Sequence, residues 1–200
     1  FAAREQSAEF HGMSYAGNAA SGGGISGMFW NPAIVAYAPA TINVEGDIFG
    51  IFAKTEVSGN VYAGNVNLGL PTESGNIADT VILPSGYMTI RAYRDLIFGL
   101  SINAPFRLAN SAANNYWAGQ TFSGGRTAEI KTLNVTPMLG YKIIPSLSIG
   151  VGFQIERMDL VFKDASGVTA ASRDLVTEGD STAFGFTAGI NWTPSAGTSI

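Results

Sequence analysis

The chain contains no cysteine in its 200 residues, which excludes a disulfide framework and any cysteine-based metal site or nucleophile. Charge is scarce: Asp, Glu, Lys and Arg make up 13% of the residues, about half the usual share. His11 is the only histidine, and nothing near it has ligand spacing. Neither a Ser-His-acid triad nor a histidine metal centre can be assembled around it, so its expected part is a structural hydrogen bond. The net charge of −4 argues against nucleic acid as a partner. Long apolar runs are missing as well; none approaches the ~20 residues that a membrane-spanning helix needs. No basic and apolar leader precedes Phe1, so an exported form is expected to have lost that segment already.

What is present is apolar and small: 46% hydrophobic residues and 25 glycines. A soluble domain with so few charges would cover its surface poorly. Apolar residues spread thinly, without a helical span, suit the other membrane architecture. In a β-barrel the backbone groups pair between strands and the apolar side chains alternate along them.

The pattern divides the chain near residue 40. Residues 1–40 show no alternation, and their many small residues predict short helical turns and loops. From Thr41 the period is two. In "STAFGFTAGINW", Phe184, Phe186, Ala188, Ile190 and Trp192 share one face, against Ala183, Gly185, Thr187, Gly189 and Asn191 on the other. "SLSIGVGFQI" repeats the scheme with Leu147, Ile149, Val151, Phe153 and Ile155. A bulky face opposite a small or polar one is what a lipid-facing barrel wall requires.

Strands are predicted at roughly 42–56, 80–92, 96–106, 127–142, 147–162 and 182–193, all antiparallel neighbours. The faces of the second cannot be assigned from its pattern. Past Arg157 the apolar phase flips to Met158, Leu160 and Phe162, which predicts a β-bulge near Glu156 and Arg157. Pro137 falls on the apolar face of its strand and removes one ladder bond. Short connections ("YRD", "IIPS") alternate with long polar ones, the layout of an outer-membrane barrel with short periplasmic turns. A soluble β-sandwich also alternates, but its inner face would be packed and apolar, not Gly/Ser/Thr/Asn.

The segment "REQSAEFHGMSYAGNAASGGGISGMFWNPA" resembles the amino-terminal plug of the outer-membrane long-chain fatty-acid transporter family, FadL/TodX (OMPP1). "GLSINAPFRLA", "NNYWAGQ", "IKTLNVTPMLGYKI" and "LSIGVGFQIE" are similar to further segments of that family, in family order. The resemblance implies an all-β, transmembrane antiparallel barrel with an amino-terminal hatch. This chain would supply the hatch (1–40) and about six to seven of an expected fourteen strands (41–200), a seventh starting near Ser199. It further implies passive uptake of hydrophobic molecules, such as long-chain fatty acids or aromatic hydrocarbons, with a lateral exit through the wall. Outer-membrane lipid and lipopolysaccharide would surround a monomer. A general diffusion porin and a structural or adhesion barrel are the alternatives. No enzymatic activity and no cofactor are expected.

Asn31, Pro32 and Ala33 correspond to the family's hatch motif, and the Asn-Pro pair suits a pinned turn. Phe10, Met13, Phe29, Trp30 and Arg91 are the expected ligand path, with Arg91 in position to meet a carboxylate. Arg107 and Arg126 are expected at the outer rim. Gly99, Asn103 and Pro105 mark the expected lateral opening, because Pro105 cannot donate a ladder bond and Gly99 allows a kink. "SGGGISG" lacks the lysine of a phosphate loop, and "NIAD" and "TEGD" are ordinary acidic loop pieces.

Overall fold

In the computed structural model, the described residues are 3–20, 23–60, 62–69, 72–111, 125–165 and 174–194. They form one curved antiparallel sheet with an irregular segment packed on its inner face. That segment holds a short helix α1 (Ala8–Gly12) and two 3-10 helices, η1 (Ile25–Phe29) and η2 (Pro32–Tyr37). Ser7 caps α1, accepting from the Phe10 amide, and Asn31 caps η2 in front of Pro32 at its first position.

The strands are β1 (Ile42–Ile51), the small β2 (Glu56–Ser58), β3 (Tyr62–Ala63), β4 (Val66–Asn67) and β5 (Glu73–Asn76), then β6 (Val81–Tyr93), β7 (Leu96–Asn103), β8 (Arg107–Ser111), β9 (Gly125–Ile144), β10 (Leu147–Ala165) and β11 (Asp174–Trp192). The main sheet runs β1-β6-β7-β9-β10-β11, with β8 joined to β9 above β7. β2–β5 and β3–β4 make two small hairpin sheets in the long connection after β1. The first strand is shorter than the sequence suggests, and the last starts eight residues earlier than the predicted Thr182, at Asp174. The start expected near Ser199 lies outside the described residues, as does "NNYWAGQ".

The alternation reads directly as two faces. Ile48, Ile82, Phe184, Phe186 and Ile190 stand exposed on the convex side, while Thr89, Ser101, Thr136, Ser148 and Asn191 are buried under the plug. β6, ambiguous in sequence, turns Val81, Leu83, Ser85, Tyr87 and Thr89 inward and Ile82, Pro84, Met88 and Ile90 outward.

The bulge expected at Glu156–Arg157 is absent. β10 keeps one register with β11 from Leu147 to Ala165, and with β9 its shifts fall only at Leu147/Ser148 and Lys163/Asp164. The phase flip is a change of surroundings along a straight strand. Below it the outward positions are Ile149 to Ile155; above it they are Arg157 and Asp159, with Arg157 paired to Asp159 and Asp180 at 3.3 Å each. The ten steps from Leu147 to Arg157, at ~3.3 Å each and a tilt of about 40°, rise about 25 Å, the height of an outer-membrane barrel's apolar band. Tyr93, Tyr141 and Trp192 cluster at the lower ends of their strands, where interfacial aromatics belong.

Candidate functional site

Two features on the inner face stand out: the seat of η2 and an interruption of the wall.

η2 lies on a row of glycines. Gly140, Gly150 and Gly189 oppose one another across β9, β10 and β11. A Cβ on Gly150 would overlap the Pro32 carbonyl; one on Gly189 would overlap the Asn31 side chain; one on Gly140 would meet the Ala36 amide. Gly99 on β7 completes the seat beneath Val35. Small residues here let a backbone approach a sheet at near contact, which no larger residue permits. Asn31 fixes the position. Its Oδ1 accepts from the Ala33 amide (3.0 Å), and its Nδ2 donates to the carbonyls of Ala19 (2.8 Å) and of Ile190 in β11 (3.1 Å). Ser148 donates to the Ala33 carbonyl at 3.0 Å. The Asn-Pro-Ala triplet therefore ties plug to plug and plug to wall at once.

The rest of the plug is held by β1 and by its own aromatics. Asp47 accepts from the Ala8 amide (3.0 Å), Glu45 from the Ser26 amide (3.0 Å), and Ser7 bonds Ser26 (2.8 Å). Trp30 is the hub of a ring cluster, edge-on to Phe29 at 5.1 Å, Phe10 at 5.5 Å and Tyr15 at 6.0 Å. His11 lies against Tyr15 and Phe49 at 5.8 and 5.5 Å between ring centroids. Partial burial, with the Glu5 carboxylate as a second cause, raises the Tyr15 phenol above its ordinary value. Phe10 is fully buried, Met13 is 42% exposed, and Phe29 packs against Ile25, Met28, Val35, Ala38, Tyr87, Ile97 and Met138. Arg91 sits apart from this cluster. It donates to the carbonyls of Ala38 (3.2 Å) and Arg94 (2.9 Å), bracing a turn in which Arg94 has φ of 38°.

The interruption lies between β6 and the β7–β8 strand. After a register shift at Arg91/Tyr93, pairing is regular from Arg91 opposite Ile97 up to Gly86 opposite Ile102. It resumes at Ala78 opposite Asn110, in the same register, with Asp79 donating to Ala109 and Ser111 to Ile77. Between these points, Thr80–Ser85 and Asn103–Leu108 face each other without ladder pairs. Six positions at ~3.3 Å make a gap on the order of 20 Å along the strands. Each rim is anchored on its far side: β6 to β1, and β7 to β9 through Asn103. Thr132 bridges the bend on the β9 side, bonding the Phe106 amide and carbonyl. Gly99 remains paired on both sides, Asn103 is paired to β9 alone, and Pro105 lies between β7 and β8 outside the ladder.

The amino-terminal stretch fills this window from inside. Ala3 donates to the Pro105 carbonyl at 2.7 Å. Gln6 reaches both rims. Its carbonyl accepts from Ser85 (2.8 Å) and Tyr87 (2.6 Å) of β6, while its side chain accepts from Asn103 (3.2 Å) and donates to the Ala104 carbonyl (3.3 Å). Around these bonds Val81, Leu83 and Ala104 pack with Ala3, Phe49, Ile51 and Ala109. On the outer side Ile82 and Phe106 are exposed, so the window's lipid-side rim is apolar. Nothing in the sequence marked Gln6, Ser85 or Tyr87. The glycines were visible as a small inward face, but not as the seat of a helix. The side chain of Arg126 lies outside the described residues; Arg107 stands at the rim beside Glu129, 3.9 Å away.

Among the described residues no group of His, Cys, Asp and Glu is arranged to hold a metal ion. The site consists of a docked plug, an inner face of small and polar residues, and a wall with a gap filled by the amino-terminal stretch, which defines the class as a plugged membrane β-barrel wall. The match to a family model is complete: residues 1–200 correspond to the outer membrane protein transport protein family (OMPP1/FadL/TodX), and the chain belongs to it. It is an outer-membrane β-barrel protein of a transport family. The fold is similar to that in the crystal structure of a Pseudomonas aeruginosa FadL homologue, with a TM-score of 0.71 at 22% identity over 98% of this chain. The chain spans about half the length of that structure, covering 50% of it. No curated protein matches.

Proposed function

We propose that the chain forms the hatch and first wall strands of a channel that takes up hydrophobic molecules, long-chain fatty acids or aromatic hydrocarbons. These leave sideways through the window between β6 and β7–β8. The observation that carries this reading is the bounded lapse in the ladder, closed above and below and occupied by residues 3–6. A continuously paired wall blocks lateral passage; a gap stoppered by hydrogen bonds opens when the stopper moves. Transport then needs no covalent chemistry. A molecule that buries its chain against apolar plug residues such as Met28, Phe29 and Val35 gains about 0.8 kcal/mol per buried CH₂ and leaves into an apolar medium, so the exit is not opposed by rehydration. The short bonds of Asn31 and Ser148 hold the hatch floor meanwhile, keeping the polar periplasmic mouth shut.

The test is uptake by the full-length protein in lipid vesicles, comparing a long-chain fatty acid, an aromatic hydrocarbon and a small polar solute. Uptake of a hydrophobic compound with exclusion of the polar solute is expected. Free passage of the polar solute would make the protein a general diffusion porin.

A further inference from the structure

Gln6 is held by groups that belong to the wall. Its main-chain carbonyl accepts from Ser85 Oγ at 2.8 Å and Tyr87 Oη at 2.6 Å, and its Oε1 accepts from Asn103 Nδ2 at 3.2 Å. All three donors are buried, and Asn103 Nδ2 also reaches the Tyr87 hydroxyl at 2.7 Å, which joins them into one cluster. The cluster contains two acceptors that Gln6 leaves unused. Asn103 Oδ1 and Asp47 Oδ2 are buried, and neither has a hydrogen-bond partner among the described residues. The Gln6 amide nitrogen is turned away from them, toward the carbonyls of Ala3 and Ala104. Asp47 stands opposite Ser85 across β1 and β6, and Glu45 opposite Tyr87, so two carboxylates flank the cluster.

We infer that Gln6 occupies a head-group site, and that a long-chain compound with an undissociated carboxyl head takes its place as the stopper leaves. A buried donor stripped of its acceptor is costly. If residues 3–6 withdrew alone, Ser85, Tyr87 and Asn103 would lose their acceptors beside a hydrocarbon medium that has none to offer. The carbonyl oxygen of a carboxyl head accepts from these donors as Gln6 does now. Its O–H donates to Asn103 Oδ1 or Asp47 Oδ2, which Gln6 does not satisfy. An ionised carboxylate has no proton to give them and is repelled by Glu45 and Asp47. A hydrocarbon satisfies none of these groups. The exchange keeps the rim bonded throughout, while the tail lies toward the exposed, apolar Ile82 and Phe106. The inference rests on the channel proposed above and narrows its cargo to neutral, carboxyl-headed chains; its readout is displacement of the stopper, which is separate from transport.

The Ala3 amide, bonded to the Pro105 carbonyl, reports whether the stopper is in place. Its deuterium exchange is followed in the full-length protein, in vesicles carrying hexadecanamide, methyl hexadecanoate, hexadecane or no addition. The amide is the probe because it joins an acceptor oxygen to donor hydrogens and stays uncharged; the ester has the acceptor alone. Hexadecanamide should speed the exchange several-fold, and the ester and the hydrocarbon should leave it unchanged. Binding of radiolabelled hexadecanamide, measured by its partition between vesicles with and without the protein, should tighten several-fold in Gln6→Ala, because stopper and head compete for Asn103. Equal acceleration by all three compounds would overturn the inference, as would binding indifferent to Gln6→Ala. Uptake of hexadecane by a protein whose stopper ignores hexadecanamide would sink the head-group site and leave the channel standing. Displacement by hexadecanamide without uptake of any compound would sink the channel and leave the site.

Discussion

At the scale of single residues, the wall separates two kinds of position that adjoin in sequence. Phe186 is 86% exposed toward lipid, and its neighbour Thr187 points to the lumen beside Gly152. Phe186→Arg places a charge near mid-height of the hydrocarbon and is expected to cost about 2–4 kcal/mol, with Thr187→Arg costing much less. Denaturant unfolding of the full-length protein in vesicles measures both, and equal losses would reverse the assigned faces. Asn31 carries three bonds, one of them a helix cap worth about 1 kcal/mol. Asn31→Ala should therefore loosen the plug, seen as impaired uptake, while the barrel's heat stability stays nearly unchanged because no wall ladder bond is lost. Gly150→Val is the harsher version. Its side chain occupies the place of the Pro32 carbonyl, so η2 must lift, and proteolysis within residues 1–40 should accelerate in a barrel that still migrates as folded.

At the scale of elements, the strands were legible because burial acts at period two: one face meets lipid and the other meets small or polar neighbours, so β7, β9, β10 and β11 read from their alternation alone. β6 did not, because its inward face combines Val81 and Leu83 at the window with Ser85, Tyr87 and Thr89 below it, and so is neither uniformly apolar nor uniformly polar. The supposed bulge in β10 came from the same rule misapplied. Alternation reports surroundings, and when a strand leaves the hydrocarbon its outward residues become charged without any change of register. Pro105 marked an interruption on β7, and the opposite rim, Thr80–Ser85, carries Pro84, which also lacks an N–H and falls across from Ala104. The amino-terminal stretch bonds both rims in place of the missing ladder. Gln6 is the link, and Gln6→Ala removes its side-chain bonds to both Asn103 and Ala104 while sparing its carbonyl. The Ala3 amide, bonded to Pro105, should then exchange with deuterium faster, and uptake should not fall. Slower uptake would mean that Gln6 binds the traveller and does not hold the stopper.

At the scale of the molecule, plug and wall are made from one chain and each supplies what the other lacks. The plug has few regular hydrogen bonds of its own and borrows carboxylates, hydroxyls and carbonyls from β1, β6, β10 and β11. The wall has a gap in its ladder and borrows the amino-terminal stretch to close it. A closed gap that opens when residues 3–6 withdraw is the central claim. It is tested by cysteines at Ile82 and Phe106, outward positions opposed across the window, in a chain otherwise free of cysteine over these 200 residues. They are joined by a reducible bifunctional linker in the full-length protein, and uptake of a long-chain substrate is measured before and after reduction. A second linked pair at Met88 and Leu100, already neighbours in the ladder, is the control. The account predicts that linking across the window stops uptake, that reduction restores it, and that the control pair changes nothing. Uptake at the normal rate with the window linked would contradict it.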